Sequence, residues 1–175
     1  MEKVEREKLT EIIEAKGGNK WWVPEKFERY TRAQLPAELK IIAPPPASSG
    51  NYNCFVFTFR LENDREFLGG QNPIQQEFVK FLLQKDILKV KDKSVAGDPV
   101  FYKDNSGVIT HSGIMQSVNR LVSKWMWGCT IEHDLWDVPS SFGDAAFFCS
   151  SVEPGIIKKA YLEYRDSGVE VRPIL

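Results

Sequence analysis

The order of apolar patterns along the chain limits its fold more than any other feature. In the first half, apolar residues recur at helical spacing over residues 2–15 and again over residues 74–83, after Asn72-Pro73. The second half instead carries short runs rich in β-branched and aromatic residues. These runs predict strands over residues 86–90, 99–103, 107–116, 119–125, 145–149 and 159–172. Helices that come before strands, rather than alternating with them, indicate an α+β fold.

The chain length fits one domain with an N-terminal extension. Its 175 residues are enough for one sizeable hydrophobic core. A predicted helix over residues 2–15 ends at Gly17-Gly18, and a second predicted helix covers residues 25–34. An irregular proline-rich run follows from Pro44 to Gly50. We therefore predict a helical extension over residues 1–46, too small to fold alone, and a compact domain over residues 47–175.

Charge and composition argue against several classes of partner. The formal net charge of -1 provides no long-range attraction for the phosphates of nucleic acid. The first residues, Met1 to Lys8, are too highly charged for a secretory signal, and no run reaches the ~20 apolar residues of a membrane span. The sequence therefore predicts a cytoplasmic protein that binds neither nucleic acid nor membrane. It leaves the oligomeric state open.

The cysteines and histidines do not have the spacing of a metal site. Three cysteines are an odd number, which indicates reduced thiols rather than a disulfide framework. No C-x-x-C or H-x-x-x-H pair occurs among Cys54, His111, Cys129, His133 and Cys149, so we predict no bound metal. The chain also lacks a P-loop and a glycine-rich dinucleotide turn, and we predict no cofactor.

Cys54 and His111 form a candidate pair of nucleophile and base. Only a thiolate attacks a carbonyl carbon, and a free thiol with a pKa of about 8.5 is mostly protonated at neutral pH. A catalytic cysteine therefore needs an imidazole or a helix N-terminus nearby. His111 follows a predicted strand and precedes two small residues, Ser112-Gly113, which let a ligand approach closely. The alternative is that Cys54 is a small buried apolar residue and His111 a hydrogen-bonded strand residue.

The segment that follows Cys54 gives two conflicting signals. Phe55, Phe57, Phe59 and Leu61 alternate with other residues, and this period of two predicts a strand. A helix here would be apolar on nearly every side, as helices at the centre of a domain are. The catalytic interpretation requires the helix, with Cys54 in its first turn.

Four segments carry a recognisable set of motifs: Tyr52-Asn53-Cys54-Phe55-Val56, Ala96-Gly97-Asp98-Pro99-Val100-Phe101-Tyr102, Ile109-Thr110-His111-Ser112-Gly113-Ile114 and Leu121-Val122-Ser123-Lys124-Trp125. Together they resemble the papain-like cysteine hydrolases of the NlpC type. In that family a cysteine opens a central helix, a Gly-Asp turn starts a strand, the motif H-x-G-I carries a histidine, and a third polar residue follows on the next strand. The family usually has aspartate before the cysteine and serine-glycine after it, where this chain has Asn53 and Phe55-Val56. The resemblance implies a papain-like fold in which the helix that carries Cys54 packs on an antiparallel sheet.

The resemblance also implies a role for each matching residue. Cys54 would be the nucleophile, His111 the general base, and Ser123 the third residue that orients the imidazole. Glu132 and His133 are alternatives for that third position. The backbone N–H of Cys54 would donate to the oxyanion. Substrate contacts would come from Tyr52, Asn53 and Trp125.

These residues predict a thiol hydrolase that cleaves a peptide or isopeptide bond through an acyl-enzyme. The expected partner is therefore a peptide or another acyl-amide substrate. Two alternatives remain open at this point: an acyltransferase or deamidase that uses the same site, and a catalytically inactive binding module of the same fold.

Overall fold

The computed structural model describes residues 3–13, 29, 32–44, 52–69, 74–125 and 128–167. Within them, the helices are α1 (Lys3–Ile13), α2 (Cys54–Thr58), α3 (Arg65–Gly69), α4 (Gln76–Gln84) and α5 (Pro154–Asp166), with a 3₁₀ turn at Ser140–Phe142. The strands are β1 (Lys40–Ala43), β2 (Val90–Lys91), β3 (Pro99–Lys103), β4 (Ile109–Met115), β5 (Arg120–Lys124), β6 (Thr130–Asp134) and β7 (Ala145–Cys149). The fold is thus α+β, as the order of apolar patterns predicts.

All the described strands join one antiparallel sheet. It has seven strands in the order β1-β6-β5-β4-β3-β7-β2, and each neighbouring pair is antiparallel. Strands β4 and β5 therefore lie at its centre. Both faces of these strands are covered by other parts of the chain, so the face on which a side chain lies determines which elements it contacts.

A different set of elements covers each face of the sheet. Helices α2, α4 and α5 pack on one face, which we call the helical face, around Phe78, Phe101 and Tyr161. Helix α1 and the 3₁₀ turn cover the other face, which we call the N-terminal face, around Leu9, Met115 and Trp125. The sheet thus separates two hydrophobic cores, and neighbouring residues on a strand contribute to different ones.

A β-bulge in β4 determines which residues reach which core. Tyr102 pairs with His111 but Lys103 pairs with Ile109, so one extra residue, Thr110, is accommodated in β4. In a regular strand Ile109 and Met115, six positions apart, would lie on one face. They instead belong to the two different cores, because the bulge reverses the alternation between them.

The N-terminal segment contributes to the sheet and to the core on the N-terminal face. Strand β1 is an edge strand of the sheet and pairs with β6. Leu9 of α1 is buried in the core on the N-terminal face. Arg6 donates hydrogen bonds to the carbonyl oxygens of Val138 (3.0 Å) and Gly143 (2.6 Å) and also pairs with Asp144 (2.8 Å). These contacts attach α1 to the 3₁₀ turn. The predicted helix over residues 25–34 lies mostly outside the described residues.

Most elements follow the sequence pattern, but two predicted strands do not form as predicted, and two observed strands are not predicted. The predicted helices at residues 2–15 and 74–83 are confirmed as α1 and α4, and the strand predictions are confirmed for β3, β4, β5 and β7. The predicted strand at 86–90 is wrong, because only Val90 is in β2. The prediction of a strand over 159–172 is wrong as well, since residues 154–166 are helical; residues 168–172 lie outside the described part. The pattern predicts neither β1 nor β6.

Candidate active site

Helix α2 begins at Cys54 because a side chain caps it. The Asn53 Oδ1 accepts the N–H of Val56 (3.1 Å), and Asn53 Nδ2 donates to the Ile74 carbonyl (2.7 Å). Cys54, Phe55, Val56 and Thr58 are all buried, so the helix is enclosed on nearly every side. The helix that the resemblance implies for Cys54 is therefore confirmed. Asn53 thus has a structural role here, since its side-chain amide oxygen accepts the capping hydrogen bond.

Cys54, Thr58, Ser112 and Lys124 form a buried polar group on the helical face, which we call the Cys54 cluster. Cys54 and Thr58 are four residues apart on α2, so both side chains face β4. There the Thr58 Oγ1 donates a hydrogen bond to the Ser112 Oγ (2.8 Å). The thiol of Cys54 contacts the hydroxyl and the backbone of the same serine.

The thiol of Cys54 is protonated in this resting structure. Burial raises the pKa of Cys54 to about 11, although hydrogen bonds from Ser112 and from the backbone of Phe55 and Cys54 act in the opposite direction. The side chain is 8% exposed. A nucleophilic Cys54 therefore needs a base that removes its proton during the reaction.

Lys124 is the cationic member of the Cys54 cluster and is fully buried. Gly113 pairs with Ser123 across β4 and β5, so the same antiparallel register brings Ser112 and Lys124 side by side on the helical face. The Lys124 Nζ donates to the Gly128 carbonyl and lies 5.4 Å from the centre of the Tyr52 ring. Burial lowers the pKa of Lys124 to about 8, and the nearby sulfurs of Cys129 and Cys54 partly oppose that shift. An amine that titrates near pH 8 thus lies within electrostatic reach of the thiol.

Tyr52 links the Cys54 cluster to an acidic residue. Burial raises the pKa of Tyr52, and the charge of Glu62 raises it further. Burial also raises the pKa of Glu62, whose Oε2 is enclosed and has no hydrogen-bond partner in the described part of the chain. Of the predicted substrate contacts, Tyr52 is the one whose ring lies beside the Lys124 amine.

The structure does not bring His111 to Cys54. Because of the bulge, His111 lies on the N-terminal face and Ser112 on the helical face, where Cys54 is. The ring of His111 stacks on Phe142, with centroids 3.7 Å apart, and is 1% exposed. Burial lowers the pKa of His111 well below its ordinary value, and the nearby His133 acts in the same direction. The prediction that these two residues form a catalytic pair does not fit this geometry.

Ser123 contacts a different histidine from the one predicted. Its hydroxyl lies 2.7 Å from the His133 Nε2, and the His133 Nδ1 lies 2.8 Å from the Asp134 carbonyl. A carbonyl only accepts, so Nδ1 carries the proton of the neutral ring and Ser123 donates to Nε2. Burial lowers the pKa of His133 to about 4, which keeps the ring neutral at pH 7. Ser123 thus orients His133 and not His111.

Trp125 belongs to the same group on the N-terminal face. Its Nε1 donates to the Ser123 Oγ (2.9 Å), and its ring packs edge-on against Phe142. The prediction that Trp125 lines the substrate groove at Cys54 is therefore not supported by its position. Glu132, the other alternative for the third residue, accepts a hydrogen bond from Arg120 (2.9 Å) instead. We call His111, Ser123, Trp125, His133 and Phe142 the His111 cluster.

The Gly-Asp turn of the resemblance has a structural role here. Asp98 is buried, and its carboxylate accepts the N–H groups of Val95 (2.9 Å) and Ser151 (3.2 Å) and pairs with Lys91. Burial alone would raise the pKa of Asp98, but the hydrogen bonds from Lys91 and the two backbone groups outweigh it and lower that pKa. The carboxylate therefore ties β2, the start of β3 and the end of β7 together.

The site residues predicted from the sequence do not include Thr58, Ser112 and Lys124. One signal for them was present: Lys124 and Ser112 interrupt the apolar faces of two central strands, and Thr58 follows Cys54 at helical spacing. The face on which Ser112 lies depends on the bulge, and the sequence does not mark the bulge.

Neither a metal cluster nor a membrane span is found in the part of the chain that the structure describes. Within it, no three His, Cys, Asp or Glu side chains gather in an arrangement that could hold a metal ion. None of the described helices is both long and apolar enough to cross a bilayer. No protein-family model, curated protein or solved structure matches the chain.

Proposed function

We propose that the chain is a thiol hydrolase with a papain-like fold of the NlpC type, which cleaves an amide bond through an acyl-enzyme on Cys54. The single observation that carries the proposal is the Cys54 cluster: a cysteine at the start of a capped helix, next to a hydroxyl and a buried amine. In this proposal Lys124 takes the place that the resemblance gives to His111. The expected substrate is a peptide or another acyl-amide.

Lys124 suits the role of general base because its pKa is about 8. A base works best when its pKa lies near the working pH, since it is then both unprotonated and able to hold the proton. As the sulfur attacks the carbonyl carbon, the C–S bond forms and the thiol proton moves to the neutral amine. The ammonium then returns a proton to the leaving nitrogen, and water hydrolyses the thioester. The rate should therefore rise with pH through about 8.

The proposal is tested with an activated ester as acyl donor and intact-mass analysis of the full chain. The expected result is one acyl group on Cys54 that is lost with time. Cys54→Ser should abolish the thioester, and Lys124→Gln should slow its formation by about 100-fold, the lower range for loss of a general base. His111→Gln is the matched control, since it changes a buried polar residue on the other face and should leave the rate unchanged. Equal acylation of wild type and Lys124→Gln would exclude Lys124 as the base.

A second candidate is a binding module without catalytic activity. The specific observation in its favour is the pKa of about 11 for a thiol that is almost fully buried. A folded wild-type protein that forms no acyl adduct at any pH between 6 and ~9.5, where a neutral Lys124 predominates at the upper end, would favour this function.

Adding a primary amine to the acylation reaction separates the hydrolase from an acyltransferase, because only the acyltransferase yields the new amide.

A further inference from the structure

The hydroxyl of Thr58 is directed at the residue that contacts the thiol, not at the thiol itself. The Thr58 Oγ1 donates to the Ser112 Oγ at 2.8 Å, and both side chains are buried. A serine hydroxyl has one proton to donate and two lone pairs that accept. Since the Thr58 proton occupies one lone pair, the Ser112 proton remains available for the sulfur of Cys54.

The hydrogen bond from Ser112 favours the charged form of Cys54. Among the interactions that lower the Cys54 pKa, those of the Ser112 hydroxyl and backbone come first. A donor favours a thiolate only if its hydrogen points toward the sulfur. The orientation of the Ser112 hydroxyl therefore matters for the reactivity of Cys54.

We propose that Thr58 is a positioning residue, which fixes the rotation of the Ser112 hydroxyl so that its proton points at the Cys54 sulfur. This inference rests on the proposed function for its importance to catalysis, but the effect on the thiol exists whether or not the chain is an enzyme. Helical spacing makes it feasible, because Cys54 and Thr58 reach the same serine from successive turns of one helix. In this role Thr58 acts through the Ser112 hydroxyl.

The test is the pH dependence of Cys54 alkylation by iodoacetamide, followed by peptide mass analysis of the full chain between pH 7 and ~9.5, since the rate follows the thiolate fraction. Ser112→Ala removes the donor and should lower the rate about tenfold across this range, which corresponds to a rise of one unit in the Cys54 pKa. Thr58→Val keeps the shape but loses the hydroxyl, and should lower it about threefold in the same range. Thr58→Ser restores the hydroxyl and should recover the wild-type profile.

Three results would overturn the inference. One is a Thr58→Val profile that equals the wild-type profile. Another is a Thr58→Ser profile that follows Thr58→Val, since the methyl group and not the hydroxyl would then matter. The third is a Ser112→Ala/Thr58→Val double variant that reacts more slowly than Ser112→Ala alone, because the effect of Thr58 would then not pass through the Ser112 hydroxyl. Thr58→Ala serves as a second hydroxyl-free variant if the valine is not tolerated, and circular dichroism checks that each variant is folded.

The proposed function and this inference fail in different ways. If the chain forms no acyl-enzyme but the Thr58 variants shift the alkylation profile as expected, only the proposed function is wrong. If acylation depends on Cys54 and Lys124 while the Thr58 variants leave the profile unchanged, only the positioning role is wrong.

Discussion

The stability of this protein should fall steeply below pH 6.5, because both of its histidines are buried in neutral form. The chain contains only two histidines, His111 and His133, and both belong to the His111 cluster. Any histidine titration therefore reports on that cluster. Burial lowers the pKa of both rings, for His133 to about 4.

The sign and size follow from the difference between folded and unfolded pKa values. An unfolded histidine binds its proton near pH 6.5, whereas folded His133 stays neutral until about pH 4. Its contribution is therefore complete above pH 6.5 and is lost as the pH falls toward 4. At pH 4.5 the loss from His133 alone is roughly 2 to 3 kcal/mol, from about 1.4 kcal/mol per pKa unit. His111 adds to this loss in the same direction.

The assay is urea unfolding at several pH values between 4.5 and 7.5, followed by tryptophan fluorescence. His133→Asn removes one titrating group while its amide nitrogen still reaches the Asp134 carbonyl. We expect the slope of unfolding free energy against pH to fall by about one proton, or roughly 1.4 kcal/mol per pH unit, between pH 4.5 and 6. Comparing slopes removes any constant cost of the substitution, and carboxylates contribute equally to both proteins. Equal slopes for wild type and His133→Asn would refute the prediction that folded His133 is neutral over this pH range.

Three further substitutions test the packing that holds the two clusters. Gly143→Ala should lower the unfolding free energy by more than ~4 kcal/mol, because a Cβ would lie 2.1 Å from the Lys103 carbonyl oxygen and the φ of Gly143 is +105°. Gly155→Ala is the control: its Cβ would meet nothing within 4 Å, and the unfolding free energy should change by less than ~1 kcal/mol. Asp98→Ala should cost about 3 kcal/mol in urea unfolding at pH 7, and the cost should shrink as the pH falls below 3.8 toward the lowered pKa of the folded carboxylate; a cost that does not change with pH would contradict its charged role. Arg6→Met should cost about 2 to 4 kcal/mol and speed hydrogen exchange in α1 and the 3₁₀ turn, and unchanged exchange there would show that Arg6 does not attach them.

The sequence is sufficient to predict the elements whose pattern repeats regularly. Helix α4 has a clear apolar face, and β3 and β7 are short runs of aromatic and β-branched residues. Strand β6 escapes prediction because three of its five residues are Glu132, His133 and Asp134. Such residues have low strand propensity, and only the pairing of β6 with both β1 and β5 makes it a strand.

Local propensity fails where tertiary contacts outweigh it. The aromatic residues after Cys54 alternate as in a strand, yet the Asn53 cap and burial on all sides make that segment helical. Tyr161 and Tyr164 favour a strand in the same way, but they lie three apart on one face of α5, with Pro154 in its first turn. In both segments the helix is stabilised by contacts that are distant in sequence.

The candidate site could be predicted only in part, for a geometric reason. The cysteine, its helix and the central strands can be inferred from the sequence, but the partner of the thiol depends on which face each β4 residue occupies. One added residue in a strand reverses that assignment for every residue beyond it. The sequence does not indicate Lys124 as a site residue, because buried lysines are rare and a lysine at a strand end is usually solvent-exposed.

The extra residue at Thr110 also decides which position of β4 could present an imidazole to Cys54. The Thr110 hydroxyl donates to the Phe142 carbonyl oxygen and lies 3.4 Å from the Tyr102 carbonyl oxygen, so it contacts the chain on both sides of the bulge. With that backbone fixed, position 112 is the place in β4 where an imidazole would meet Cys54, and position 111 is the place where it would not. A Ser112→His substitution would therefore place an imidazole on the face of β4 that carries Cys54, without a change in strand register.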